Sequence, residues 1–519
     1  MTLSTDQIQY VYPVSSSLMA EKIPRLPDDR LLNLAEFLEA HPELLQPRPY
    51  LADLARIEAA RYAVSRDVST VPENLTQRVV NPNLKLIDVH WQGLPEFFLR
   101  RDVAPQPGDG FVLVWKIPGK EKIRTAEASR HDLLALKIIT EQLDSRDAAG
   151  QGGVSVGTID NILWGAIKKG LLIAPPSRII RPPDFYRGEV DEPGFFTTPT
   201  FTLQWHITQN CDLHCRHCYD RSDRTDPELG ECIGVLDQLY DFCRDHHVYT
   251  QVTFTGGNPL MYPHFNELYR EATDRGFLTA ILGNPMPRKR IEEILAIRKP
   301  EFYQVSLEGL RDHNDYIRGR GHFDRVLDFL DLLQELDIYS MVMLTLTRAN
   351  LDQVLELAEL LRDRTDLFTF NRLAMVGEGA ELASVPPGEY REFLQAYLDA
   401  VPGNPSMAMK DNLLNILRRE RKQPFFGGCA GRGCGAAFNF IALLPDGEVH
   451  ACRKFPSCIG SLKEETLTDI YHGGPARQHR AGSGACARCE IRPVCGGCLA
   501  VVHGFGLDIF TARDPYCFI

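Results

Sequence analysis

The first 210 residues contain no cysteine, although the chain of 519 residues has 14. No apolar run reaches the roughly 18 residues that a membrane-spanning helix needs, so no membrane segment is expected. Residues 1–21 lack the charged-then-apolar layout of a secretory signal, and a cytoplasmic protein is expected. A basic surplus is missing too. The formal net charge is −12, which argues against a nucleic-acid partner, whose domain would normally be rich in Lys and Arg. In a reducing compartment a disulfide scaffold is not expected, and clustered cysteines are better read as metal ligands. No residue stands out as a general base, so ordinary proton-transfer chemistry has no visible candidate.

What is present is ordinary globular composition, 44% hydrophobic and 24% charged, in a chain long enough for roughly two to four domains. The cysteines are strongly clustered. Three lie between Cys211 and Cys218, and nine between Cys429 and Cys517. Only Cys232 and Cys243 fall between, in a helical pattern, where they read as small buried hydrophobes.

Residues 1–83 read as a helical, supporting region. Asp28-Asp29-Arg30 opens an amphipathic stretch with Leu31, Leu32, Leu34, Phe37 and Leu38 at helical spacing. In residues 84–173, strands are expected at 84–91, 96–101 and 110–117, then a helix over 131–143. A Gly-rich loop over 148–153 precedes a second helix over 158–169, which Gly170 ends. Strands followed by short helices fit a winged-helix-like α+β module. As a DNA reader it is poorly charged, because its second helix offers only Lys168 and Lys169 as cations. A peptide could instead add as a strand to the sheet edge, or the module could be a plain accessory domain. Pro175, Pro176, Pro182, Pro183, Pro193 and Pro199 crowd residues 174–200, which read as a stiff linker and a domain boundary.

From residue 201 strand and helix alternate. Strands are expected at 201–208, 250–255, 278–282, 302–307, 340–347 and 367–375, with helices such as 324–336 and 351–362 between them. Such alternation predicts a parallel sheet, here an α/β partial (β/α)6 barrel over 201–424, with its working face at the strands' C-terminal ends. The first strand runs into Cys211-x3-Cys215-x2-Cys218-Tyr219. Three thiolates on a short loop can hold three irons of a [4Fe–4S] cube and leave the fourth open to a small molecule, whereas ferredoxin sites supply four cysteines. A zinc site completed by His214 or His217 is the alternative. The other strand ends carry Gly256-Gly257-Asn258-Pro259, Gly283-Asn284-Pro285 and Ser306-Leu307-Glu308-Gly309, with Arg318 beyond. The glycines permit close backbone approach. The hydroxyl, amide and carboxylate suit ribose and amine groups, and the guanidinium suits a carboxylate. Taken singly, each equally suits a satisfied turn or a surface pair.

In residues 425–519, Cys429-x4-Cys434 precedes a strand over 438–444, a Pro445-Asp446-Gly447 turn, a return strand over 448–451 and Cys452. Beyond them lie Cys486-x2-Cys489-x5-Cys495-x2-Cys498 and Cys517. The gap of five is too short for a zinc ribbon. Cys429, Cys434, Cys452, Cys486, Cys489, Cys495, Cys498 and Cys517 suffice for two four-thiolate clusters. Cys458 is left over as a structural residue, an alternate ligand or a reactive thiol.

Together these motifs resemble the radical SAM superfamily. Gly256-Gly257-Asn258-Pro259 resembles its GGEP motif, and Ser306-Leu307-Glu308-Gly309 with Arg318 resembles its S-L-D-G…R-G segment. Residues 425–519 resemble the SPASM extension: Cys434-x12-Gly447-x4-Cys452 fits its opening, and Cys486, Cys489 and Cys495 fit its later cysteines. Three departures stand out. Asn258 replaces Glu, Glu308 replaces Asp, and the Cys495–Cys498 spacing is one residue short, which leaves the division of the cysteines between clusters open.

The resemblance implies a [4Fe–4S] cluster on Cys211, Cys215 and Cys218 that binds S-adenosylmethionine. It also implies reductive cleavage to a 5′-deoxyadenosyl radical and hydrogen abstraction from substrate. His217 would pack near the adenine, and Gly256, Gly257, Asn258, Pro259, Asn284, Ser306, Glu308 and Arg318 would line the cofactor. Two auxiliary [4Fe–4S] clusters would accept or relay an electron, and flavodoxin or ferredoxin would donate one. SPASM enzymes mostly modify peptides, so the implied function is maturation of a ribosomally made precursor peptide through a thioether, heterocycle or C–C link. Residues 84–173 would bind its leader. The long N-terminal region and the GGNP variant resemble the selenobiotic, thio(seleno)oxazole type of maturase. Two alternatives remain: action on a small molecule or folded protein, as in haem synthesis or sulfatase maturation, and a non-enzymatic Fe–S sensor that binds DNA.

Overall fold

Strand pairing divides the chain. A computed structural model describes residues 5–19, 33–46, 48–70 and 74–519. Asp28 to Leu32 lie outside the described residues, while Leu34, Phe37 and Leu38 sit in a helix, Leu34–Glu39. Two compact units form, Met1–Pro176 and Ser177–Ile519.

In the first unit, Leu84–Gln92, Gln106–Lys116 and Ile123–Glu127 pair antiparallel in that order. Successive side chains leave a strand on opposite faces. Val112 and Val114 therefore join a core with Leu38, Leu54 and Ile57 of the N-terminal helices. Leu113 and Trp115 join a second core with Ala135, Ile138, Ile159 and Leu163. Those residues come from helices Arg130–Thr140 and Val156–Lys169. Ser129 and Asp132 close a capping box on the first helix, and Gly170 ends the second at φ +82°. The expected strand over 96–101 is instead part of a helix, Leu94–Leu99. Gly93 turns the chain at φ +79°, Pro95 sits in the first turn, and Leu94 and Phe97 bury one turn apart. The expected Gly-rich loop over 148–153 is also a helix, Ser145–Gly152. Asp144 caps its N-terminus and Ala148 and Ala149 bury, which together offset the roughly 1 kcal/mol cost of each internal glycine.

In the second unit, six parallel strands run Leu367–Arg372, Ser340–Leu346, Phe302–Ser306, Leu278–Leu282, Tyr249–Gly256 and Thr200–Thr208 across the sheet, each preceded in sequence by the next. Helices such as His322–Glu335 and Val354–Leu360 connect them. This is the partial (β/α)6 barrel. Its strands bury on both faces, as Val252, Thr253, Phe254 and Thr255 show with at most 4% exposure. The C-terminal region then adds three strands to the same sheet. Phe440–Leu443 pairs parallel to Thr200–Thr208, and Glu448–His450 and Cys458–Ser461 extend it antiparallel. The C-terminal cysteine region is thereby hydrogen-bonded directly to the strand that leads into the three-cysteine loop.

Candidate functional site

The loop after Thr200–Thr208 is held by the second strand's end. Thr208 O accepts from Gly257 N at 2.8 Å, and Asn210 O accepts from Asn258 N at 2.7 Å. A Cβ on Gly257 would lie 2.2 Å from Asn210 O, and one on Gly256 2.3 Å from Thr208 O. The two glycines therefore permit close approach to the cysteine loop's own backbone. The N–H groups of Gly257 and Asn258 are spent on holding the chain just before Cys211 in place, a role that the motif's spacing alone does not reveal.

Cys211, Cys215, Cys218 and His217 line a cavity of about 480 Å³, with Gly256, Gly257, Asn284, Ser306 and Arg318. Each thiol has a polar group beside it. Asn284 Nδ2 approaches Cys211 Sγ at 3.5 Å, Arg318 Nη1 approaches Cys215 Sγ at 3.8 Å, and Cys218 Sγ donates to Asp220 O at 3.2 Å. Burial pushes the Cys215 thiol up, and the Arg318 charge opposes it. Asn258 lies outside the lining, fully buried beside it. Its Nδ2 donates to Asp212 Oδ1 at 3.1 Å while its Oδ1 has no partner. Asn284 Nδ2 also donates to Asp212 Oδ1, at 2.6 Å. Pro259 is buried at the start of a short turn, Pro259–Met261.

Glu308, like Asn258, lies outside the lining; it is buried behind His217 and Arg318, which do line the cavity. Its Oε1 accepts from Arg318 and faces His217 Nε2 at 3.0 Å, and its Oε2 accepts from Thr345 N at 2.7 Å. Burial pushes its carboxyl up, but His217, Arg318 and the hydrogen bonds outweigh that and hold it well below the usual carboxylate range. His217 Nδ1 is buried without a partner. The sequence offered no sign of Asp212 or Asn350. Asn350 Nδ2 donates to Glu308 O at 2.8 Å and fixes the Glu308 backbone. Both are short polar residues in turns, a pattern shared with many structural positions.

The C-terminal cysteines fall into two sets. Cys429, Cys434, Cys452 and Cys498 line one cavity. Cys486, Cys489, Cys495 and Cys517 line another. Burial pushes the thiols of Cys434 up to about 12 and of Cys452 and Cys486 up to about 11. Metal ligation removes such protons. The first set adjoins the central cavity, because Asn371, Arg372 and Lys454 line both. Cys458 belongs to neither set and is exposed.

The spacing of the thiols tests what they can hold. Four ligands about 2.3 Å from one zinc lie within about 4 Å of each other. Among the described residues, the only three Cys, His, Asp or Glu ligand atoms grouped within 4.8 Å belong to Glu448, His450 and Cys458. Two of those residues are committed. His450 Nδ1 accepts from Ser457 N at 3.1 Å, and Arg224 pairs with Glu448. Among the described residues, no three of these thiols lie within 4.8 Å of one another, so none of the three sets is closed around a single ion. His214 and His217 face Arg221 and Glu308, respectively.

A three-thiol loop at a barrel mouth, backed by two four-thiol sets, defines an iron–sulfur enzyme. Residues 205–361 match the Radical SAM superfamily, and residues 434–498 match the iron-sulfur cluster-binding SPASM domain. The chain carries a radical SAM domain and a C-terminal SPASM domain, the domains of a radical SAM enzyme. Its cofactors are those of that class, a SAM-binding iron–sulfur cluster and auxiliary clusters in the cysteine-rich C-terminus.

Among its relatives is an AdoMet-dependent heme synthase of Methanosarcina barkeri. It is 24% identical over 344 residues, covering 61% of this chain and 95% of that protein. Mycofactocin maturase MftC of Mycolicibacterium smegmatis is 28% identical, covering 61% and 82%. The crystal structure of Streptococcus suis SuiB bound to precursor peptide SuiA superposes with a TM-score of 0.52 at 18% identity, covering 79% of this chain and 97% of that one. No helix among the described residues is long and apolar enough to cross a membrane.

Proposed function

We propose that this chain matures a ribosomally made peptide by radical chemistry at the cavity beside Cys211, Cys215 and Cys218. One observation carries the peptide reading. The likeness to SuiB covers 79% of the chain, more than Ser177–Ile519 could supply, so the shared fold extends into the unit Met1–Pro176. That unit's sheet of three strands leaves Leu84–Gln92 and Ile123–Glu127 as edges, to which an extended leader can add.

The bound cluster and S-adenosylmethionine would supply a 5′-deoxyadenosyl radical that removes a hydrogen atom from the peptide. The chain's own part is to position. Cys211, Cys215 and Cys218 would hold three irons. Glu308, fixed by Thr345 N, would hold Arg318 and His217 in place against the cofactor. His217 would lie against the adenine, and Ser306 and Asn284 would border the methionyl end. Cys429, Cys434, Cys452 and Cys498 would hold one auxiliary cluster, and Cys486, Cys489, Cys495 and Cys517 the other. A carrier such as flavodoxin or ferredoxin would donate electrons. Thioether, heterocycle and C–C products all fit this arrangement, as does the selenobiotic type of substrate.

The test is anaerobic reconstitution and then reduction. The holoenzyme should release 5′-deoxyadenosine, and Cys211→Ala, Cys215→Ala or Cys218→Ala should abolish it. Co-expression with short peptides encoded beside the gene should yield a product lighter by the hydrogens removed. Turnover of a porphyrin precursor with no peptide modified would overturn the peptide reading.

A further inference from the structure

Four cations crowd the first C-terminal cysteine set. Arg181 is 8% exposed and donates to three backbone carbonyls: Cys434 O at 2.9 Å, Arg480 O at 3.1 Å and Arg432 O at 3.3 Å. Its guanidinium lies 3.9 Å from the centre of the Phe438 ring. Lys410 Nζ donates to Asn371 Oδ1 at 3.0 Å and lies 3.7 Å from Cys429 Sγ. Lys454 lines the same cavity as the four thiols. Among the described residues, no carboxylate pairs with any of these three. The nearby acids, Asp411 and Asp514, are both committed to the fourth cation, Arg372, at 2.7 and 2.8 Å. Four cations against two carboxylates leave a surplus of two positive charges.

Of Arg181, Lys410 and Lys454, Arg181 is buried, where an unpaired charge costs several kcal/mol, while Lys410 and Lys454 are half-buried beside the thiols. Neutral thiols offer no counter-charge. A [4Fe–4S] cube on four thiolates carries roughly two negative charges, and net charge around a cluster helps to set its potential. We propose that Arg181, Lys410 and Lys454 are the counter-charge of the cluster on Cys429, Cys434, Cys452 and Cys498, and that the two lysines raise its reduction potential. This rests on the reading that the set holds a cluster. Lys454 also borders the central cavity, so the charge stands between the two sites.

The experiment is an EPR-monitored redox titration of the reconstituted holoenzyme with iron determined in parallel. Lys410→Met and Lys454→Met should each shift one cluster's midpoint to a more negative potential and the double variant further, with the other midpoints unmoved. Lys410→Arg and Lys454→Arg should keep the wild-type value. Full iron with unmoved midpoints overturns the inference. So does an equal shift in the arginine variants, which would make side-chain shape the cause. If a methionine variant releases iron, the comparison is read from iron content: retention by the arginine variant supports the inference, and loss from both overturns it. Iron content unchanged by Cys434→Ala and by Cys452→Ala would overturn the reading that this set holds a cluster.

Discussion

Glu308 and Arg318 meet at a single oxygen. Glu308 Oε1 accepts from Arg318 Nε at 2.9 Å and Nη2 at 2.5 Å, with both side chains nearly buried. His217 Nε2 faces the same atom at 3.0 Å. In the S-L-D-G segment that Ser306 to Gly309 resembles, Asp stands where this chain has Glu308. Here the longer arm reaches the guanidinium while Oε2 stays on Thr345 N.

Removing that carboxylate strands a buried cation. Glu308→Gln should lower stability by about 3–5 kcal/mol, read as a fall in the unfolding midpoint, and should sharply reduce 5′-deoxyadenosine. The pH dependence comes from the sign. Folding depresses this pKa, so the native state releases its proton more readily than the unfolded chain, whose Glu titrates near about 4.3. The stabilisation is complete above that value and is lost as pH falls through it toward the folded pKa. Wild type should lose stability from about pH 5 downward, and Glu308→Gln should lose less over the same range.

Gly257→Ala tests the glycine pair. Its Cβ would lie 2.2 Å from Asn210 O, and backbone cannot swing aside as a long side chain can. The loop must shift, and Cys211 with it. The expected result is loss of about four irons and of 5′-deoxyadenosine, with both C-terminal clusters retained in the EPR spectrum. Intact iron and full activity would show that the loop tolerates the displacement.

Arg372 closes the last of the six parallel strands and binds both Asp411 and Asp514. Asp514 Oδ2 in turn accepts from Cys498 N at 2.9 Å. Arg372→Met leaves two buried carboxylates unpaired. It should cost about 3–5 kcal/mol, measured by thermal or denaturant unfolding. Arg372→Met with Asp411→Asn should recover part of that loss.

The barrel strands were legible because burial on both faces makes near-continuous apolar runs between helical patterns, and the motif residues stand at their ends. The errors came where a local rule lost to packing. Pro95 and Glu96 open a short helix because Leu94 and Phe97 bury one turn apart. Ala148 and Ala149 hold a glycine-containing helix together against its propensity. The pairing of Phe440–Leu443 with Thr200–Thr208 joins residues more than 230 positions apart, and no sequence periodicity encodes a partner at that distance. Asp212 and Asn350 were invisible for a related reason. Their partners, Asn258, Asn284 and Glu308, come from other strand ends.

The division of the C-terminal cysteines lay beyond sequence spacing for the same reason, since Cys498 stands three residues from Cys495 yet lines a different cavity. Double substitutions test the division directly. Losing one thiolate from a four-cysteine cube should release that cluster, about four irons per chain. Cys434→Ala with Cys498→Ala should then lose no more iron than either alone, because both act on one set. Cys434→Ala with Cys489→Ala should lose about eight, because they act on two. Cys495→Ala is the sharpest member of the series: paired with Cys489→Ala it should add nothing, and paired with Cys498→Ala it should add a full cluster's loss. The reverse pattern would place Cys495 and Cys498 in one site and require the loop between them to refold on metal binding.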